Sequence, residues 1–355
     1  MIGERLLRAR KAAGLSMQAL GDQVGVSATM ISKYEKGQST PGSKVLIGLS
    51  KALGVRSEYF FRPVEVQLEG VEYRKRSSTP QKLLDRIKAD VLDQAERWQI
   101  LANLYPNFPI PNFKLPEGLP EQISRISDVD EVANLVRQSW FLGNNPIPDL
   151  VDELESQGIL VIVTSADDLN KFDGLQASVA GKPFVVISSN WPGDRQRFTL
   201  AHELGHLILH GRLNPAISEE KACNRFASAF LLPGSGLRQQ LGERRHKLEV
   251  QELYILKHEY GISMAACLFR AADLGIIDER AMKSAFIHFR KRGWSKQEPG
   301  EPYPQEESQL FDQLVYRALG EEIISESKAA ELLKMPLMQF HRERNLESLD
   351  AVACQ

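Results

Sequence analysis

The chain is poor in cysteine, and what it has is not spaced for pairing. Cys223, Cys267 and Cys354 are the only three in 355 residues. An odd number with no CxxC argues against a disulfide framework and a thiolate zinc site, and reduced thiols are expected. No apolar run reaches the ~20 residues of a membrane-spanning helix, and the opening MIGERLLRARKAAG lacks the apolar stretch of a secretion signal. A cytoplasmic protein with no membrane partner is the expectation. Compositional bias is also missing, since 25% charged and 43% hydrophobic residues are ordinary for a soluble chain. At 355 residues the chain exceeds the size at which single cores stop growing, so two or three domains are expected.

The net charge is small, at -2, but it is unevenly spread. Residues 1–62 carry ten Lys or Arg against four Asp or Glu, a surplus of six positive charges that leaves the remainder acidic. A basic module on an acidic chain points to a polyanion partner for the N-terminus alone.

Within that module apolar residues recur at helical spacing: Leu6, Leu7 and Ala9; Met17, Leu20 and Val24; Met30 and Ile31; Val45, Leu46, Leu49 and Leu53. Breaks fall at Gly14, Gly25, Gly37 and Gly54, and Ser16 and Ser27 stand where helix N-caps belong. Four or five short helices follow, two of them joined by VGVS. A short helix, a glycine-bearing turn and a second short helix is the geometry that places the second helix in a DNA major groove. A small bundle used for dimerisation or protein contact would share this pattern. RLLRARKAAGLSMQALGDQVGVSATMISKYEKGQSTP resembles the lambda-repressor-like (Xre) helix-turn-helix family, over residues 4–61. That resemblance implies double-stranded DNA as partner and an internal Arg10–Glu35 salt bridge. It also puts Ala28, Thr29 and Lys33 where base-facing and phosphate-facing residues sit. Met17 and Ala28 stand where family members often carry glutamines, so no operator sequence is implied.

Residues 62–80 show no sustained period and end in Ser-Ser-Thr-Pro, which reads as a connector with a basic knot at Arg74, Lys75 and Arg76. A helical pattern over 81–104 stops at the proline-rich YPNFPIPNFKLPEGLP, a domain boundary. Helical pattern returns over 128–157, broken at GNNPIP. Three strands are then expected, ILVIVTS (159–165), GLQASVA (174–180) and PFVVISS (183–189), the last two forming a hairpin around Gly181-Lys182. An edge strand beside the next helix could receive an extended peptide by strand addition.

That next helix carries RQRFTLAHELGHLILH, residues 195–210. Residues four apart share a helix face, so His202 and His206 can direct both imidazoles at one ion. Glu203, rotated by about 100 degrees, lies off the ligand plane yet within reach of a metal-bound water, where it could act as base. Apolar flanks argue the same way, because burying two histidines and a glutamate without a partner is costly. A third ligand must come from His210, Glu219 or Glu220. His210 is badly placed, since i, i+4 and i+8 spread over ~12 Å of helix. On the helix begun by SEEKACNRFASAFLLP, Glu220 and Asn224 share a face, so Glu220 as ligand with Asn224 orienting an imidazole would complete the set, and Glu219 is the fallback.

RFTLAHELGHLILH followed by EEKACNRFASAFLLP resembles the ImmA/IrrE metallopeptidase family, over about residues 130–280. The resemblance implies a zincin-like fold, a Zn2+ cofactor held by His202, His206 and Glu220, and Glu203 as catalytic base. It further implies a target that is itself a repressor or antitoxin. Cys223 stands where the family commonly has alanine. The oxyanion-stabilising group stays open among His210, His246, His258 and Tyr260. Residues 253–278 resemble the helix-turn-helix-like tail such peptidases often carry. Residues 293–308 read as a Pro/Gly/Glu linker, and 310–343 as a further helical unit for dimerisation or partner docking.

The expected protein is α+β and mostly helical. It has a helix-turn-helix domain at 1–62, a linker with a helix at 63–120, a zinc metallopeptidase domain with a small sheet at 121–292, and a helical accessory element at 309–355. The function expected is a DNA-binding regulator that cleaves a protein. The alternative is a transcription factor whose zinc site is structural or sensory.

Overall fold

The computed structural model describes residues 2–62, 69–75, 81–164, 172–179 and 181–346. The N-terminal bundle is formed by α1 (Ile2–Ala12), α2 (Met17–Val24), α3 (Ala28–Glu35) and α4 (Ser43–Leu53), followed by a short 3-10 turn. Ser16 and Ser27 cap α2 and α3, accepting from the backbone N–H groups of Ala19 and Met30. Leu6, Leu20, Ile31, Leu49 and Phe60 close the core. Arg10 spans to Glu35 with two bonds, Nε to Oε1 at 2.5 Å and a second nitrogen to Oε2 at 2.9 Å, fixing α1 against α3.

After the bundle come β1 (Glu69–Lys75), α5 (Gln81–Leu104), α6 (Val129–Ser139) and α7 (Leu150–Ser156). The remaining strands are β2 (Leu160–Thr164), β3 (Phe172–Val179) and β4 (Lys182–Ser188). Two long helices follow, α8 (Gly193–Leu209) and α9 (Glu219–Leu231), then α10 (Gly234–Leu241), α11 (Val250–Tyr260), α12 (Met264–Asp273) and α13 (Glu279–Lys291). The last elements are α14 (Leu310–Gly320), α15 (Glu326–Leu332) and α16 (Leu337–Arg344), with Ser325 capping α15.

The three expected strands form, and a fourth joins them. The sheet order is β1-β3-β4-β2, with β2 and β4 parallel and the other pairs antiparallel. β1 lies in the segment expected to be a connector. Its pairing with β3 is a long-range contact that no local period announces.

Because successive strand residues face opposite sides, the sheet has two apolar faces. Val161, Val185 and Ile187 pack with Leu200, Leu204 and Ile208 of α8 in the larger core. Leu160, Ile162, Leu175, Phe184 and Val186 pack on the other side against α5 and α14–α16. Trp98 of α5 meets Phe311 of α14 edge-on, with ring centroids 5.0 Å apart. Each large apolar side chain fully buried there stabilises by roughly 1.5–3 kcal/mol, so these helices form a layer of the fold. The expected linker with a helix at 63–120 and the helical accessory element at 309–355 thus contribute helices that pack on the sheet, since neither α5 nor α14–α16 could bury its apolar stripe alone.

The expected linker at 293–308 is likewise pinned down. Glu306 accepts from the N–H groups of Leu150 and Val151 at 2.9 and 3.1 Å, capping α7 from a distance, and pairs with the buried Arg197. Glu298 accepts from Met264 and Ala265 at the start of α12, both at 3.0 Å, and from Lys257, which also meets Asp194 at 3.1 Å. Gln305 donates to the carbonyls of Ser189 and Trp191. Proline and glycine in this stretch make a strap across the α7–α8 surface.

The N-terminal bundle docks on α5 through ion pairs. Arg5, only 2% exposed, and Arg8 both reach Glu96, the latter at 2.8 Å, while Lys11 meets Asp85 at 2.9 Å and Arg62 meets Glu331. Isolated surface pairs are worth little, but removing one partner of a buried pair leaves a charge without compensation. Cys223 and Cys267 are buried free thiols, and burial pushes the Cys267 thiol well above its ordinary range. Cys354 and Arg76 lie outside the described residues.

Glu155, at the end of α7, is 2% exposed and accepts from the Ser308 hydroxyl at 2.7 Å. Burial pushes its pKa up from 4.5 to about 7. Between those values the folded chain holds a proton that the unfolded chain releases, so stability falls as pH rises across the window, by up to ~3 kcal/mol. In urea unfolding at pH 5 and pH 8, Glu155→Gln should lose this part of the pH dependence. We expect it to gain about 1–3 kcal/mol on the parent at pH 8 relative to pH 5; an unchanged difference would contradict the assignment.

Candidate metal centre

α8 is buried around most of its circumference, from Thr199 to Gly205 and again at Ile208 and Leu209. His202 and Glu203 lie on the buried part of this helix, where partners for their polar atoms come from neighbouring elements. α9 supplies them on one side and β3 approaches on the other.

The approach of α9 depends on a glycine. A Cβ at Gly205, inside the HELGH sequence, would lie 3.2 Å from the Cys223 Cα and 3.3 Å from a Phe226 ring carbon. That contact holds the two helix backbones close where Glu219, Glu220 and Asn224 face the histidines. Asp130 of α6, bonded by Arg225 at 2.7 Å and Arg270 at 2.8 Å, ties α9 and α12 to the same position.

The Nε2 atoms of His202 and His206 are 3.1 Å apart. The Glu220 carboxylate lies 3.5 Å from His202 Nε2 and 3.7 Å from His206 Nε2. Among the described residues, His202, His206 and Glu220 form one group of potential ligand atoms, all within 4.8 Å of one another. Tetrahedral zinc with bonds of ~2.05 Å has ligand–ligand edges of roughly 3.3 Å, so the three separations bracket the value a zinc ion requires.

The remaining imidazole nitrogens strengthen the fit. His202 Nδ1 is 3.0 Å from Asn224 Oδ1, and His206 Nδ1 is 3.2 Å from Glu219 Oε1. Acceptors at both Nδ1 atoms place the protons there, so the two Nε2 lone pairs face each other. Lone pairs at that distance repel, and a cation between them removes the repulsion. Glu220 is exposed while His202 is fully buried, so the group opens to solvent on one side.

Glu203, 2% exposed, follows His202 on α8 and lies beside β3. A Cβ at Gly174 would stand 2.7 Å from Thr199 Cγ2, 3.0 Å from the Val186 carbonyl and 3.7 Å from Glu203 Oε1. The tight contacts of such a Cβ are with Thr199 and the Val186 carbonyl, and the carboxylate lies at ordinary contact distance.

The structure places His202, His206, Glu220 and Asn224 next to one another, with Glu203 adjacent in the chain. It gives Glu219, expected as a fallback ligand, a different place: beside the distal nitrogen of His206. The i, i+4 spacing to Asn224 favours Glu220 in the sequence, whereas the place of Glu219 follows from its ~100 degree rotation about α9. The four oxyanion candidates are not drawn into the group. His210 ends α8 on the surface and His246 is exposed, Tyr260 packs against Gly236, and His258 meets Tyr254 edge-on with ring centroids 4.5 Å apart. Gly174 and Gly205 were not singled out from sequence; the only available signal was glycine inside regular elements.

In the N-terminal bundle α3 keeps an open face. Thr29 and Lys33 are exposed and Ala28 is half-buried, with Lys36 and Lys44 also exposed nearby in sequence. The arginines of α1 that dock on α5 leave this face clear.

Comparison with known proteins divides the chain along the same line. Residues 6–60 match the helix-turn-helix family model, and residues 154–272 match a peptidase family model described as the IrrE N-terminal-like domain. A prophage-derived HTH-type transcriptional regulator of Bacillus subtilis is 35% identical over 69 residues, 19% of this chain and 64% of its own length. Repressor protein C2 of Salmonella phage P22 is 37% identical over 62 residues, covering 18% of this chain and 29% of the repressor. A putative HTH-type transcriptional regulatory protein of Pyrococcus furiosus is 26% identical over 162 residues, 45% of this chain and 47% of that protein. The chain spans less than two thirds of the length of each. Among the described residues no helix is long and apolar enough to cross a membrane.

The two adjacent glutamates should separate by experiment. Glu220→Ala is expected to abolish stoichiometric zinc, whereas Glu219→Ala and Asn224→Ala should each lower zinc affinity by roughly 10–100-fold in chelator competition at fixed pH. Full retention of zinc by Glu220→Ala would exclude it as a ligand.

Proposed function

We propose that this pairing of a helix-turn-helix domain with an IrrE N-terminal-like peptidase domain is a DNA-bound regulator that hydrolyses a peptide bond in another protein. The observation that carries it is the convergence of both Nε2 atoms and the Glu220 carboxylate beside a buried Glu203. A structural metal site has no need of that glutamate.

The donor set suits Zn2+: two imidazoles and one carboxylate, with an open side. Bound there, zinc would supply a Lewis acid that polarises the scissile carbonyl and lowers the pKa of water toward ~7. The chain's own residues do the rest. Asn224 and Glu219 hold the two imidazoles with their Nε2 lone pairs inward. Glu203, off the ligand plane and against β3, takes a proton from the attacking water and passes it to the departing amine. Gly174 keeps room for that carboxylate to reach the reacting atoms.

DNA engagement falls to α3 in this reading, with Thr29 and Lys33 reaching the groove and phosphates from its exposed face and Ala28 at its start. Holding the chain on DNA would raise its effective concentration near a DNA-bound target. The substrate class that fits is a repressor or antitoxin encoded beside this gene.

Incubating such neighbours with the zinc-loaded chain and with Glu203→Gln tests the chemistry. Cleavage should occur only with the parent, while the variant keeps zinc and DNA binding, because it loses a base and not a ligand. Cleavage by both forms, or by neither, removes the peptidase reading. Lys33→Ala should weaken binding to double-stranded DNA irrespective of sequence and reduce the salt slope of log K by about one. An unchanged slope would take Lys33 off the phosphates.

A further inference from the structure

β3 passes beside Glu203, the neighbour of His202 in the candidate metal centre, at Gly174. One edge of β3 pairs with β4, and the other would be open for an extended peptide if the sheet held only the three strands of the peptidase segment. In the full chain that edge is filled. β1 pairs antiparallel along it, with Glu72 opposite Gln176, Tyr73 opposite Leu175 and Arg74 opposite Gly174. The backbone of Arg74 therefore runs one strand spacing, ~4.8 Å, from the glycine that faces Glu203.

Two further features mark β1 as an occupant rather than a permanent strand. Its register with β3 shifts between Glu69 and Glu72 and again between Arg74 and Lys75, so only a short central ladder is regular. It is also tied on both sides to the DNA-binding half of the molecule. Residues 63–68 join it to the helix-turn-helix bundle and residues 76–80 join it to α5, on which that bundle docks through Arg5, Arg8 and Lys11. A six-residue connector reaches at most ~20 Å, so the bundle cannot travel far from α5 without drawing on β1.

We propose that β1 is a tethered internal strand filling the peptide-binding edge of β3, and that an extended segment of a substrate protein must displace it to reach Glu203. The inference rests on the peptidase reading of the site and adds how that site is closed. Tethering makes the competition intramolecular, equivalent to millimolar peptide for short linkers. A substrate therefore needs a segment of high strand propensity, or loosening of the bundle from α5, to gain entry.

The test uses the full zinc-loaded chain with residues 69–75 replaced by a Gly-Ser segment of equal length. A labelled synthetic peptide of residues 66–78 is titrated against this replacement and against the unreplaced chain, both carrying Glu203→Gln so that binding is read without turnover. The replaced chain should bind the peptide at least ten-fold more tightly, and hydrogen exchange over 172–179 should rise on replacement and fall again with peptide. Equal binding to the two chains, or binding to neither, overturns the proposal. The double variant Glu72→Pro/Tyr73→Pro serves as an independent second disruption, since one of two adjacent prolines must fall on an inward-facing N–H. With Glu203 intact, casein cleavage should increase at least five-fold on replacement, and an unchanged rate in an active enzyme overturns the proposal. Absence of casein cleavage by every form would instead count against the peptidase reading alone, leaving the binding contrast to decide the role of β1.

Discussion

The close approach of α8 and α9 at Gly205 is the contact on which the candidate centre depends. Two histidines one turn apart make half a metal site on any helix. The other half comes from a helix that begins ten residues after α8 ends, and a Cβ at 205 would press on it at 3.2 Å from the Cys223 Cα. The same contact sets the rotation of α9. Glu220 then faces the two Nε2 atoms, Glu219 faces the distal nitrogen of His206, and Asn224 faces that of His202. The Glu220 carboxylate, the two imidazoles and the open side of the candidate centre are thus placed by this helix pair.

The sheet gives that helix pair its support. Having α8 on one face and α5 with α14–α16 on the other, the sheet is apolar on both sides and needs both layers. Segments distant in sequence are thereby made interdependent: the last helices cover the back of the strands whose front holds Glu203. The 293–308 strap adds polar fasteners at three helix starts or ends, through Glu298, Glu306 and Ser308. Glu155 and Glu306 are both pushed toward the protonated form by burial, although Arg197 opposes this at Glu306.

The helix-turn-helix bundle is anchored to this body by charges instead of an extended apolar seam. Glu96 receives both Arg5 and Arg8, and the exposed residues of α3 are left for another partner. A hydrophobic junction would have made the two halves inseparable. The pairs at Glu96 are buried and little screened by salt, whereas the more exposed Lys11–Asp85 pair is screened more. β1 lies in the chain between the halves and at the edge of β3.

Much of this protein was legible in one dimension, where the determining interactions are local. The caps at Ser16 and Ser27, the helix-turn-helix, the HELGH spacing, the Glu220–Asn224 face and the β3–β4 hairpin all follow from short periods or from residues within a turn of each other. The Arg10–Glu35 bridge was expected by resemblance. Tertiary structure alone decided what depends on separation and rotation. It set Glu219 beside His206, brought Gly174 and Gly205 against neighbouring elements, turned a connector into β1, and made layers and a strap out of expected linkers. The reason is physical: a local pattern sets the conformation of a segment, whereas its pairing partner is fixed by surface buried against residues a hundred or more positions away, which no local period records.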